Sequence, residues 1–263
     1  MKSDIAISYI LSKSLFFGFI MSYILNNTSY LSFISIIIGY TLGYLFLNIY
    51  MNKRYKFNNI ILFFIDIILL LYILYNISYQ ASNFFLNKTP TIFILLLFLT
   101  VIIYGTSKKI DSLSNLALIL FPLNIVLIAL GIIFNIENYT IINLNNIELI
   151  NFITTTIITL ITSVIPIFIY LNTNNNYNKK HILIGYTLSG LTITIIALNS
   201  IFSIGPTLIS YYSFPEYMSY KKIHLLNFIE RIENIISIYS LLDFTILGII
   251  LLLNMKSLII KKD

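Results

Sequence analysis

The chain has 263 residues, 58% of them hydrophobic and 10% charged, with a formal net charge of +6 and no cysteine. A water-soluble domain carries roughly a quarter charged residues, so this composition excludes an ordinary soluble fold and makes lipid the solvent. Disulfide and thiol chemistry are excluded too, and the two histidines, His181 and His224, have no second metal-ligand candidate at helical spacing, so neither a metal nor another cofactor is expected.

A helix needs about 20 apolar residues to cross the hydrocarbon. Apolar runs predict spans at about 5–25, 29–51, 58–80, 91–107, 113–134, 152–171, 182–204 and 234–255, about eight in one integral membrane domain covering 1–263. All of them are expected to be helical, because backbone groups in lipid must bond within their own segment. The first span holds Lys13 among serines and is interrupted by Gly18, where a helix can unwind or pack closely. In the second, Gly39-x-x-x-Gly43 has the spacing of a helix–helix contact. The third carries Asp66. The sixth is a ladder of hydroxyls, including Thr159, Thr162 and Ser163, followed by Pro166. It reads either as a broken helix lining a cavity or as a continuous helix packed through hydroxyl bonds. The last span carries Asp243 near its middle.

An ionisable group inside a span costs roughly 2.5–3.5 kcal/mol on insertion scales. Lys13 can snorkel to the interface or be buried, and Asp66 can sit near a helix end. The side chain of Asp243 is too short to snorkel, so a buried role is expected for it.

The connections give a topology. With eight spans, the side of the N-terminus carries Lys2, Lys53, Arg54, Lys56, Lys108, Lys109, Lys179, Lys180, Lys256, Lys261 and Lys262, eleven basic residues. The opposite side carries four: Lys88, Lys221, Lys222 and Arg231. Short cytoplasmic loops are enriched in Lys and Arg. The bias therefore predicts an inner-membrane protein with both termini cytoplasmic, and it accounts for the net charge without nucleic acid as a partner. On the far side, the segment from Gly205 to Glu233 is rich in Tyr and Phe. It reads as an interfacial aromatic belt or as a cap over an external site.

No nucleophilic triad, glycine-rich phosphate loop, glycosidase carboxylate pair or HExxH motif occurs, so an enzyme is not expected. Glu230, Arg231 and Glu233 cluster just before the last span, which on its own reads as a solvated helix start.

The stretch Phe228-Ile229-Glu230-Arg231-Ile232-Glu233 resembles the F-x-E-R-[IL]-E signature of spore germination permease-like proteins, the B subunits of germinant receptors. Lys88-Thr89-Pro90, Tyr104-Gly105, Pro122, Gly205 and Pro215 fall in the order expected of that family. The resemblance implies the two inverted five-helix repeats of the amino acid–polyamine–organocation transporters, here without the last two helices. It implies that spans one, three, six and eight line a pocket, where Lys13, Gly18, Asp66, Thr159, Thr162, Ser163 and Asp243 would bind a small polar ligand such as an amino acid. It also implies a structural role for Glu230, Arg231 and Glu233, and A and C subunits of a germinant receptor as partners. A secondary transporter without a sporulation role and a membrane scaffold with a vestigial pocket are the alternatives.

Overall fold

The computed structural model describes residues 2–53, 58–108, 110–136, 139, 149–174, 176–221 and 232–260. The described residues are helical, with no strand among them. The elements are α1 (Lys2–Ser14), α2 (Phe19–Thr28), a 3-10 turn (Ser29–Leu31), α3 (Ser32–Lys53), α4 (Asn59–Phe84), α5 (Thr91–Gly105), α6 (Ile110–Asn135), α7 (Leu149–Thr173), α8 (Lys179–Ile204), α9 (Pro206–Ile209), α10 (Pro215–Lys221) and α11 (Ile232–Ile260).

Among these residues, six stretches are long and apolar enough to cross a membrane: Phe19–Lys53, Asn59–Phe84, Ile110–Asn135, Leu149–Thr173, Lys179–Ile204 and Asn234–Ile259. The expectation of about eight spans departs from this at two places. The helix α5 has 15 residues, about 22 Å of rise against a hydrocarbon core of about 30 Å. The first predicted span is two helices, because the chain leaves helical geometry between Ser14 and Phe19.

The distribution of residues is that of a protein in lipid. Along α4, Ile61, Phe64, Ile68, Leu71 and Tyr75 recur every three to four positions and are exposed, forming an apolar outer stripe. The opposite face buries Asp66, Asn76 and Gln80. This polar face lies on α11, whose Ser237, Ser240, Asp243 and Asn254 are also buried. The seam is antiparallel: Gln80 Nε2 donates to Ser237 Oγ (2.8 Å) and Ser240 Oγ (2.5 Å), and Asn254 Nδ2 donates to Asp66 Oδ2 (2.7 Å). Lipid tails offer no hydrophobic drive for helix association, so packing and interhelical hydrogen bonds hold such a bundle.

Close packing depends on glycine at two seams. Gly39 and Gly43 of α3 abut Thr159 and Val164 of α7 and the Tyr186 hydroxyl of α8, with no room for a Cβ. Gly105 of α5 sits against Ile249, and Gly248 of α11 against Ile102, so the short α5 is locked reciprocally onto α11.

The helix ends also sort spatially. Asn178 N–H donates to Asp4 Oδ2 (3.1 Å) and Lys179 Nζ to Asn52 Oδ1 (2.5 Å), while Asn59 and Leu258 border one concavity. The start of α1, the end of α3, the α7–α8 connection, the start of α4 and the end of α11 therefore share one end of the bundle. At the opposite end Phe84 stacks on Tyr217 of α10, ring centroids 3.6 Å apart. The aromatic segment after α8 is thus packed against the bundle.

Candidate functional site

The break between α1 and α2 organises the centre. Phe16 N–H still bonds Lys13 O, Met21 N–H reaches back to Phe16 O, and Ser22 N–H bonds Gly18 O. The intervening groups lose their helical partners. Gly18 has φ +81°, a region that L side chains rarely adopt. A Cβ there would also lie 2.6 Å from the Phe214 ring and 2.7 Å from Asn76 Oδ1, so only glycine fits. The freed backbone is satisfied from other elements, as buried groups must be. Asn76 Nδ2 donates to Phe17 O at 3.1 Å, and Gly18 N–H donates to Glu216 Oε1 at 2.6 Å.

One turn before the break, Lys13 is 0% exposed. Its ammonium donates to Asp243 Oδ2 at 2.6 Å and to Asn124 Oδ1 at 3.0 Å, and lies 5.1 Å and 5.2 Å from the ring centroids of Tyr9 and Phe17. The snorkelling alternative for Lys13 is therefore not what the structure adopts. A charge in lipid is tolerated when it faces the interior and is paired, and opposite charge, amide oxygen and aromatic faces all meet this ammonium. Asp243 is likewise 0% exposed, and Lys13–Asp243 is the one ion pair recorded among the described residues.

The other predicted site residues are placed elsewhere. Asp66 is buried and accepts from Asn254 on the α4–α11 seam; it does not join Lys13. Thr159 and Thr162 donate to Thr155 O and Ile158 O of their own helix. Ser163 bonds Leu160 O and the Tyr186 hydroxyl. The helix α7 runs unbroken through Pro166, so its hydroxyls satisfy local carbonyls and pack against α3 and α8. This is the continuous-helix alternative, and the ladder does not line an opening at the Lys13–Asp243 pair. Glu230 and Arg231, and the side chain of Glu233, lie outside the described residues.

Two further participants had little sequence signal. Asn124 sits two residues after Pro122 in an apolar run, one asparagine in a chain rich in them. Glu216 is the only acid between Gly205 and Lys221, in a stretch read mainly for its aromatic residues. It is 3% exposed. Burial pushes its carboxyl from the usual glutamate range up to about 8, because the charged form is the one that loses hydration.

A small void of about 20 Å³ is bordered by Phe17, Asn124, Glu216, Tyr220, Tyr239 and Ser240, room for about one water molecule. A separate groove of about 560 Å³ opens on the outer surface between α3 and α8, lined by Tyr40, Tyr44, Tyr186, Thr187, Gly190 and Leu191 among others. It contains none of the predicted ligand-binding residues.

Fold and centre together define an all-helical membrane protein with a broken first helix and a polar, internally paired interior. Comparison of the chain with protein-family models, with curated proteins and with solved structures finds no match.

Proposed function

We propose that the protein is an amino-acid-permease-like membrane protein that binds a small polar nutrient, with the part played by a germinant-receptor B subunit in spore germination. The observation that carries this reading is the break at Gly18 beside the Lys13–Asp243 pair. Discontinuous helices at membrane depth place a half-helix N-terminus and freed backbone groups at transporter binding sites. Buried ionisable groups in such helices mark substrate or ion pathways. A zwitterion offers a carboxylate to the half-helix and an ammonium to Asp243, in place of Lys13.

In this reading the chain is a divergent member of the five-plus-five inverted-repeat class. It has eight passes, counting the broken first helix and the short α5, and both termini in the cytoplasm of the inner membrane. The A and C subunits of a germinant receptor are its partners. The motif Phe228–Glu233 and the order of landmarks along the chain support the family; the basic residues gathered on the α1 side support the orientation.

A second reading, a scaffold with a vestigial pocket, is favoured by one observation: the void beside the pair has room for about one water molecule. Thermal melting of the purified chain with each of the common L-amino acids separates the two. A saturable rise in melting temperature with at least one of them supports the binding reading, and a flat response to all of them supports the scaffold.

A further inference from the structure

Glu216 meets the break between α1 and α2 from outside the two helices. The helix α2 starts at Phe19; the Met21 amide still reaches back to Phe16 O, but the Gly18 amide that leads into the helix is bonded to Glu216 instead of to a preceding carbonyl. Such an N-terminus is an anion-binding position, and here the chain fills it from α10: Glu216 Oε1 lies 2.6 Å from Gly18 N. The filling is incomplete. No basic side chain is recorded as paired with Glu216 among the described residues. Its Oε2 is buried with no hydrogen-bond partner there, and so is Oδ1 of Asn76, which faces the same glycine. Unpartnered buried acceptors are costly, and these two face the same helix start. Glu216 also borders the void shared with Asn124, the amide that holds Lys13.

We propose that Glu216 is a tethered stand-in that closes a carboxylate-binding position at the Gly18 break, and that a small free carboxylate takes its place when α10 withdraws. This deepens the permease-like reading and rests on it for the ligand class. It adds that the closed form inhibits itself: the position is occupied by the protein's own carboxyl, so apparent affinity is lowered by the fraction of molecules in which Glu216 is seated.

Truncating Glu216 to Ala removes a CH2–COO fragment, which is acetate itself, so the test is chemical rescue. The full chain carrying Glu216→Ala is melted in nanodiscs with rising sodium acetate, with sodium chloride as the control. The melting temperature of Glu216→Ala rises saturably with acetate and not with chloride. Wild type and Glu216→Gln, whose amide oxygen can still accept from Gly18, do not respond. L-Alanine binds Glu216→Ala about tenfold more tightly than wild type, as expected where the seated form is about nine-tenths of the population. Equal effects of acetate and chloride on Glu216→Ala, or a Glu216→Gln response matching that of Glu216→Ala, overturn the proposal. If Glu216→Ala is not recovered folded, it is prepared in acetate from the outset; recovery in acetate alone supports the stand-in, and loss in both salts overturns it. Acetate rescue without L-alanine binding retains the stand-in and removes the permease-like reading. L-Alanine binding to wild type without acetate rescue does the reverse.

Discussion

Lys13 and Asp243 lie 230 residues apart in sequence and 2.6 Å apart in the fold, joining the first helix to the last across the centre of the bundle. Both are fully buried, so neither charge is neutralised until α1 and α11 have come together. The pair therefore closes the fold as well as marking the candidate site, and the two roles can be separated by substitution.

Breaking a buried pair by removing one partner leaves an uncompensated charge and costs about 3–5 kcal/mol, whereas replacing both partners with apolar residues of similar size is often neutral. Lys13→Met and Asp243→Leu are each expected to lower stability by that order, and the double variant to regain most of it. A double-mutant cycle on melting in nanodiscs measures this. Additive losses would mean that the two charges do not depend on each other.

The α4–α11 seam gives a second, smaller effect. Interhelical hydrogen bonds in membranes average about 0.6 kcal/mol, with a maximum near about 1.7 kcal/mol. Gln80→Leu, which removes the bonds to Ser237 and Ser240, is expected to cost about 1 kcal/mol. Asn254→Leu is expected to cost more, because it leaves Asp66 buried without the one hydrogen-bond partner recorded for it. Reversible unfolding from bicelles ranks the two, and an equal or reversed ranking would show that Asp66 is not held by Asn254.

Particular residues show why some of this was legible in the sequence. Composition alone makes lipid the solvent, lipid leaves helices or closed barrels, and apolar runs of about 20 residues select helices. The cost of a charge in a span singles out Lys13, Asp66 and Asp243 before any contact is known, and glycine between aromatic residues at 16–19 marks a place where the helix can unwind or pack closely. What periodicity cannot supply is the relation between distant helices. Nothing local says that Lys13 meets Asp243 and not Asp66, because that depends on how α1 and α4 sit against α11. The face of α7 that carries Thr159, Thr162 and Ser163 has the same pattern whether it lines a cavity or packs on glycines. Here the backbone carbonyls one turn back and Gly39 decide for packing. Asn124 and Glu216 were obscured by context, one among many asparagines and the other in a segment whose aromatic residues drew the reading.

Orientation in the membrane is open to a direct check. The ends of α3 and α11 and the starts of α1, α4 and α8 share one end of the bundle through Asp4–Asn178, Asn52–Lys179 and the Asn59–Leu258 concavity. The eight-pass reading proposed above assigns eleven of the basic residues to that side and four to the other. Reporter fusions at Lys53, Lys108 and Lys179 are expected to read cytoplasmic, and a fusion near Asn145 external. Opposite readings at Lys108 and Lys179 would remove one pass between them.

The last expectation is a pH dependence with a definite sign. The Glu216 carboxyl is raised by burial to about 8, while in an unfolded chain it titrates near 4.5. Between these values the folded protein holds a proton that the unfolded chain has released. Stability therefore falls as pH rises through this window, by at most about 1.4 kcal/mol per pH unit from this group, and levels off above it. This is opposite in sign to a carboxylate held by a basic partner. The groups facing Glu216 are Tyr72 on α4 and Tyr220 on α10, and neither phenol ordinarily titrates below pH 8. Glu216→Gln removes the titrating group while keeping an acceptor for Gly18. Melting temperatures from pH 5 to 9 are expected to decline more steeply for wild type than for Glu216→Gln, with the two curves converging at the acid end. Parallel curves across that range would mean that Glu216 is not titrating in the folded state, and that its contact with Gly18 is made by the ionised carboxylate throughout.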